Sequence, residues 1–309
     1  MVVANILYIP CHSVLEYDEL RLLTSLGHNI FSTGSYFDPN IPAESIRPPL
    51  ILRQDPEWKD IFYKTGCSVT PIKLSKEFLS KFNFMISTHK TMPFESNLRN
   101  IPKSCEKIWR GIGQATPHTE VKLRDLKKNG VRLIRYSPME SRTTNFAGQD
   151  GLIRFFKKES EFISNDTKTN NGFLCYNAIL QRSQYNDWNF FKDFVEYNNF
   201  EIFGGSNESI KNYHGFLSTE EQLCLFKRYS KICCLSSYPA PYTLGFLEAV
   251  MSELEIFICK NGHESDERFM FGQNYNRIDG NIYSFVANRE IKDLFSEKSA
   301  KIEWNKLLG

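Results

Sequence analysis

Residues 231–259 read KICCLSSYPAPYTLGFLEAVMSELEIFIC. Lys231–Leu235 is an apolar run of strand length. Thr243–Met251 has a helical pattern, and Glu255–Cys259 is a second apolar run. A strand, a helix and a strand joined by short connections predict a parallel βαβ unit. A helix that opens after a strand presents free backbone N–H groups and a positive dipole end, which suits an anion. Thr243 and Leu244 stand at that opening, with Tyr242 in the turn before them. Glu248, one to two turns further on, either accepts hydrogen bonds from ribose hydroxyls or is a surface glutamate of an ordinary amphipathic helix.

The same alternation extends outward. Upstream, Phe173–Tyr176 predicts a strand and Trp188–Tyr197 a helix, and Phe200–Phe203 is a strand running into Gly204 and Gly205. Ser218 with Glu221 three residues later is a capping box that opens another helix. The front half repeats the scheme. Residues 3–9 form a strand, Glu16–Leu26 a helix stopped by Gly27, and Asn29–Thr33 a strand. Strands follow at Phe82–Thr88, Lys107–Ile112 and Val131–Tyr136, with a basic helix over Thr119–Asn129. Residues 36–60 hold five of the 13 prolines and read as loop. A polar stretch places a linker at about residues 160–172. The expected fold is therefore α/β: two Rossmann-like doubly wound domains facing a cleft, over residues 1–160 and 173–309.

Composition agrees with two folded domains. The chain has 309 residues, 24% of them charged and 41% hydrophobic, which excludes a disordered chain. No apolar run reaches the roughly 20 residues of a membrane span. The opening residues lack a basic segment and predict a buried strand in place of a secretory signal. The eight cysteines show no paired zinc spacing, so reduced thiols and a cytoplasmic location are expected. The net charge of +2 conceals an asymmetry: 23 Lys and Arg against 16 Asp and Glu in residues 1–159, hence +7, and 15 against 20 beyond, hence −5. A basic front half either meets an anionic partner or is solvated surface.

The segment Ser237–Ala249 resembles the signature of retaining glycosyltransferases of the family 4 (group 1) type, which have the GT-B fold and use nucleotide-sugar donors. Phe203-Gly204-Gly205 and His214-Gly215-Phe216-Leu217-Ser218 resemble two further elements of that family, in order and spacing. The resemblance covers about residues 173–260. It implies that Glu248 holds the donor ribose and that Thr243, Leu244, Tyr242, Gly204 and Gly205 surround the nucleotide. Arg182 is the candidate diphosphate clamp, with an exposed helix-start arginine as the alternative. The family's first glutamate falls at Ala240, which has no carboxylate. His12 and Ser13 follow the first strand, where the family has a phosphate-binding loop. The family's donor-sugar histidine falls near Ile112 or Gly113, where Gln114 and His118 are the polar groups at hand; His89 is a further candidate from its position after the strand Phe84–Ser87 alone. His118 can equally belong to a helix start, with Pro117 at its first position. No Asp-x-Asp motif occurs, so neither a metal nor a cofactor beyond the donor is implied.

Lys122, Arg124, Lys127 and Lys128, then Arg132 and Arg135, concentrate positive charge on the acceptor side. Peripheral membrane contact, a phosphate-bearing glycan or nucleic acid would meet such a face, as would plain solvent. The opening segment and the Gly113–His118 stretch are also similar to uncharacterised glycosyltransferase-like proteins of phages and environmental bacteria. That adds a modified DNA base to a surface polysaccharide as an acceptor class. Two rival readings stay open: a catalytically degenerate nucleotide- or glycan-binding protein of the same fold, and a nucleotide-sugar epimerase.

Overall fold

The structure is a computed structural model that describes residues 3–11, 13–32, 73–113, 115–164, 167–176, 187–204, 209–215, 217–235, 242–260, 268 and 275–309. The chain divides into two compact units, one of residues 1–155 with 300–309 and one of residues 156–299.

The first unit contains β1 (Asn5–Ile9), α1 (Ser13–Ser25), β2 (Asn29–Ser32), α2 (Lys76–Leu79), β3 (Phe84–Thr88), α3 (Met92–Asn97), β4 (Glu106–Arg110), α4 (Pro117–Lys128), β5 (Val131–Arg135) and β6 (Gly151–Leu152). Its sheet has the order β2-β1-β3-β4-β5-β6, and every pairing is parallel. All five residues of β3 are buried, as a central parallel strand covered on both faces requires. One core cluster joins Leu7, Met85, Trp109 and Leu133 of the strands to Phe78, Phe94, Leu123 and Leu126 of the helices. α4 starts at Pro117, two residues ahead of the expected Thr119 and as the alternative reading of Pro117 has it. The Thr116 side chain accepts from the Thr119 N–H, Pro117 takes the first position, and Gly130 follows the end at φ +78°. α1 starts at Ser13, three residues ahead of the expected Glu16.

The second unit contains β7 (Thr169–Tyr176), α5 (Trp188–Tyr197), β8 (Glu201–Gly204), α6 (Thr219–Arg228), β9 (Tyr229–Cys234), α7 (Leu244–Met251), β10 (Glu255–Cys259), β11 (Asn276–Asp279), β12 (Ile282–Val286), α8 (Arg289–Leu294) and α9 (Glu297–Leu308), the last belonging to the first unit from Ala300 onward. The sheet order is β11-β12-β10-β9-β7-β8. Strands β7 to β10 pair in parallel, whereas β12 is antiparallel to both β10 and β11. Gly280, at φ +48°, closes this antiparallel hairpin on one edge of the sheet. All four residues of β11 are exposed, so no apolar alternation marks it. β7 also reaches back to Thr169, inside the stretch expected to be a linker. Its first three residues are exposed and polar, so composition hides the strand. The capping box of Ser218 and Glu221 forms as expected.

In both sheets chain order reverses beside the first strand of the unit. The switch lies between β1 and β3 in one unit and between β7 and β9 in the other. Ligands of open α/β sheets sit beyond the carboxyl ends of the strands at such points.

Candidate functional site

In the second unit, β9 ends at Cys234 and α7 begins at Leu244. α7 is buried all round: Phe246, Leu247, Val250 and Met251 are each fully buried. Each such side chain contributes about 1.5–3 kcal/mol on burial, so packing fixes where the helix starts. Thr243 is its N-cap. The Thr243 Oγ1 accepts from the Phe246 N–H at 3.4 Å, and the Thr243 carbonyl accepts from the Leu247 N–H at 3.3 Å. The Leu244 and Gly245 amides come before these, at the end of the helix that favours an anion. A Cβ added at Gly245 would meet nothing within 4 Å. Tyr242 lies in the core, its ring edge-on to Phe295 at 5.1 Å.

Glu248 is buried with α7, which corrects the alternative of an exposed glutamate. Its Oε1 is 3.0 Å from Lys157 Nζ, and its Oε2 accepts from Gln222 Nε2 at 3.1 Å. The Lys157 side chain is fully buried, and that of Glu248 keeps 9% of its surface exposed. Neither partner was a candidate from sequence. Lys157 sits in a polar run that reads as surface; the signal was the apolar pair Phe155-Phe156 just before it, both buried. Arg268, also buried, donates to the Cys234 carbonyl at 3.3 Å. Burial pushes the Cys234 thiol up to about 12; the Arg268 charge opposes that rise and the Glu248 charge adds to it. This strand end therefore gathers charge but holds no reactive thiolate.

At the end of β8, Gly204 has φ +127°, which favours glycine. Its N–H donates to the Gly215 carbonyl at 2.8 Å, and its carbonyl accepts from Tyr213 Oη at 2.6 Å. Gly205, Arg182 and Ala240 lie outside the described residues.

In the first unit, β1, β3 and β4 bring a second set of groups to their carboxyl ends. Glu16, fully buried in the first turn of α1, accepts from the Cys11 N–H at 2.8 Å and from Thr88 Oγ1. His89 follows β3 with φ +57°, an uncommon backbone for a residue with a side chain. Its N–H donates to the Arg110 carbonyl at 2.8 Å, and its Nδ1 is buried without a hydrogen-bond partner among the described residues. Burial, then the neighbouring Lys90 charge, lowers the His89 pKa, so its ring is neutral near pH 7. A Cβ on Gly113 would stand 3.7 Å from His89 Cε1. The ring thus occupies the neighbourhood of Gly113, where the family resemblance places a histidine. His118 is exposed in the first turn of α4. His12 and Gln114 lie outside the described residues, as does the side chain of Ser13, whose backbone opens α1.

The basic helix is less open than its sequence suggests. Lys122 pairs with Glu95 at 3.3 Å, Lys127 with Asp150 at 2.9 Å and Lys128 with Asp125 at 3.1 Å. Arg124 donates to the Asn145 carbonyl at 2.9 Å. Exposed pairs of this kind contribute about 0–1 kcal/mol and can exchange partners. Arg135 does not belong to that face at all: it is fully buried between Glu120 and Glu140. No described helix is long and apolar enough to cross a membrane.

No protein-family model matches the sequence, and no curated protein sequence matches it. Solved structures do match in fold. A glycosyltransferase from Rickettsia africae ESF-5 aligns over 100% of this chain and 98% of its own, with TM-score 0.61 and 9% identity. Anabaena HepE in complex with UDP aligns over 99% of both chains, with TM-score 0.61 and 9% identity. HepE in complex with UDP-glucose covers 98% of this chain and 90% of its own, at TM-score 0.56 and 11% identity. The chain has the mixed α/β architecture of GT-B glycosyltransferases, with two sheets of predominantly parallel strands.

Proposed function

We propose that the protein is a nucleotide-sugar-dependent glycosyltransferase whose second unit holds the nucleoside diphosphate of the donor. The observation that carries this reading is Glu248, held by an ion pair to Lys157 and a hydrogen bond from Gln222 just beyond the start of a helix at a sheet's switch point. Glu248 would accept the ribose hydroxyls, and the Leu244 and Gly245 amides would meet the diphosphate. Arg182 is the proposed clamp for its outer charge. The HepE structures with UDP and UDP-glucose make uridine nucleotides the first probes. The first unit would present the acceptor, with His89 at the switch point as its candidate catalytic group. The family resemblance suggests retention of anomeric configuration, the donor's own phosphate helping to deprotonate the acceptor. An anionic glycan or a modified DNA base fits the +7 charge of the front half.

Thermal shift against UDP, GDP, ADP, CMP and their sugar conjugates tests the reading, with wild type beside Glu248→Gln. A single nucleotide class should raise the melting temperature, and the variant should lose most of that shift. Absence of any shift in the wild type would sink the assignment. Ala240 stands where the related enzymes carry a glutamate, which favours a second reading, a binding protein without transfer. Slow hydrolysis of the sugar nucleotide without acceptor separates the two, and change of the free sugar nucleotide would indicate an epimerase.

A further inference from the structure

We infer that Lys157 is a positioning residue for the nucleotide site: its buried ammonium fixes the Glu248 carboxylate in the orientation that selects ribose over deoxyribose. The inference rests on the reading of the second unit as a nucleotide site. Lys157 is remote from α7 in sequence and is anchored by its own backbone. Its N–H donates to the Phe295 carbonyl at 3.0 Å, and the residue forms an isolated parallel bridge with Ser296. From there the side chain reaches Glu248 Oε1 at 3.0 Å, while Gln222 on α6 takes Oε2 at 3.1 Å. Three separate segments thus meet at one carboxylate and fix both of its oxygens.

Stability alone does not account for this arrangement. Burying an ammonium and a carboxylate costs desolvation, and well-packed apolar residues usually do as well or better. What the clamp does supply is a carboxylate in one place. A carboxylate has about four acceptor directions, so the Lys157 and Gln222 contacts are compatible with further donors. Hydroxyls at the 2′ and 3′ positions of a ribose are donors of the right kind. A site that hydrogen-bonds a hydroxyl rejects the analogue that lacks it, because the site's buried polar group then goes unpaired. Such discrimination depends on the acceptor being held still.

The test is calorimetric titration of the full chain with UDP, GDP, ADP and CDP, each beside its 2′-deoxy counterpart. Wild type is compared with Lys157→Met and Lys157→Arg. We expect wild type to bind one ribonucleotide about 10-fold or more tighter than its deoxy form, the size of a hydrogen bond to a charged group. In Lys157→Met that ratio should fall below about 3-fold, with affinity for the deoxy form nearly kept, and Lys157→Arg should restore it. A merely structural lysine would weaken both ligands together and leave the ratio intact, and that result overturns the inference while the nucleotide site stands. If wild type binds none of the eight ligands, the inference and the functional reading fall together. Should Lys157→Met fail to fold, the ratio is read on Lys157→Gln: a fall supports the inference and an unchanged ratio overturns it.

Discussion

Arg135 and Glu120 form a two-pronged ion pair in the interior of the first unit, with both N···O distances at 2.8 Å and both side chains fully buried. Glu140 approaches the same guanidinium at 3.4 Å, and Glu19 pairs with Arg110 at 2.9 Å. Three buried carboxylates thus share two guanidinium groups. A proton on one carboxylate brings that set to neutrality. Burial pushes Glu140 up to about 7, against the pull of Arg135 and of the Tyr136 and Ser137 amides that it accepts from.

The pH dependence follows from that direction. The folded pKa of Glu140 lies above its unfolded value, so its favourable contribution is complete below about pH 4.5 and disappears as pH rises through about 7. Ionisation at higher pH costs up to about 3 kcal/mol. Urea unfolding at pH 5 and pH 8 should show this loss in wild type, and Glu140→Gln should flatten the difference. Equal pH slopes in the two proteins would refute the assignment.

His89 stores backbone strain at the carboxyl end of β3, with φ +57°. Strain of this sort costs about 1–3 kcal/mol and gathers at functional sites. Asparagine tolerates the left-handed region better than histidine does. His89→Asn should therefore melt at the wild-type temperature or slightly above it. Turnover of sugar nucleotide should drop by about 10-fold or more, in the range of a lost general acid or base, while nucleotide affinity holds. Full turnover in the variant would remove His89 from the site.

Gly245 offers a test in which stability and binding move in opposite directions. Its position in the first turn of α7 has open space where a Cβ would go. Gly245→Ala should stabilise the protein by a few tenths to about 1 kcal/mol through helix propensity. If a diphosphate approaches that amide, the added methyl blocks it, and affinity for a nucleoside diphosphate should fall several-fold while the free nucleoside is unaffected. A variant that gains stability and keeps its affinity places the anion elsewhere.

The sequence disclosed the elements whose side chains face a core. β3, β9 and β10 were legible because the buried stretches of parallel strands are apolar runs, and α4 and α6 because their caps are local chemistry. β11 and the polar start of β7 were not, since exposed residues carry no pattern. The site divides the same way. Thr243 was legible as the start of α7 from its position between a strand and an apolar run. The Lys157 contact to Glu248 was not, because a lysine in a polar run gives no sign that tertiary packing will bury it. His89 was visible only as a strand-end histidine; its nearness to Gly113 comes from the pairing of β3 with β4.

Gly172 provides a check on the second unit that is independent of function. It lies in β7, where a Cβ would stand 2.1 Å from Cε1 of Phe200. Phe200 is itself buried, in one cluster with Leu174, Phe191 and Phe257. The ring has no room to retreat, since Phe194 and Phe257 lie 5.5 and 5.8 Å from it between centroids. Gly172→Ala should therefore destabilise the protein by about 1–3 kcal/mol, the cost of overpacking a filled core. The double variant Gly172→Ala with Phe200→Leu should recover part of that loss, because the smaller side chain frees the space. A Gly172→Ala protein as stable as wild type would mean that β7 and Phe200 do not pack in this way.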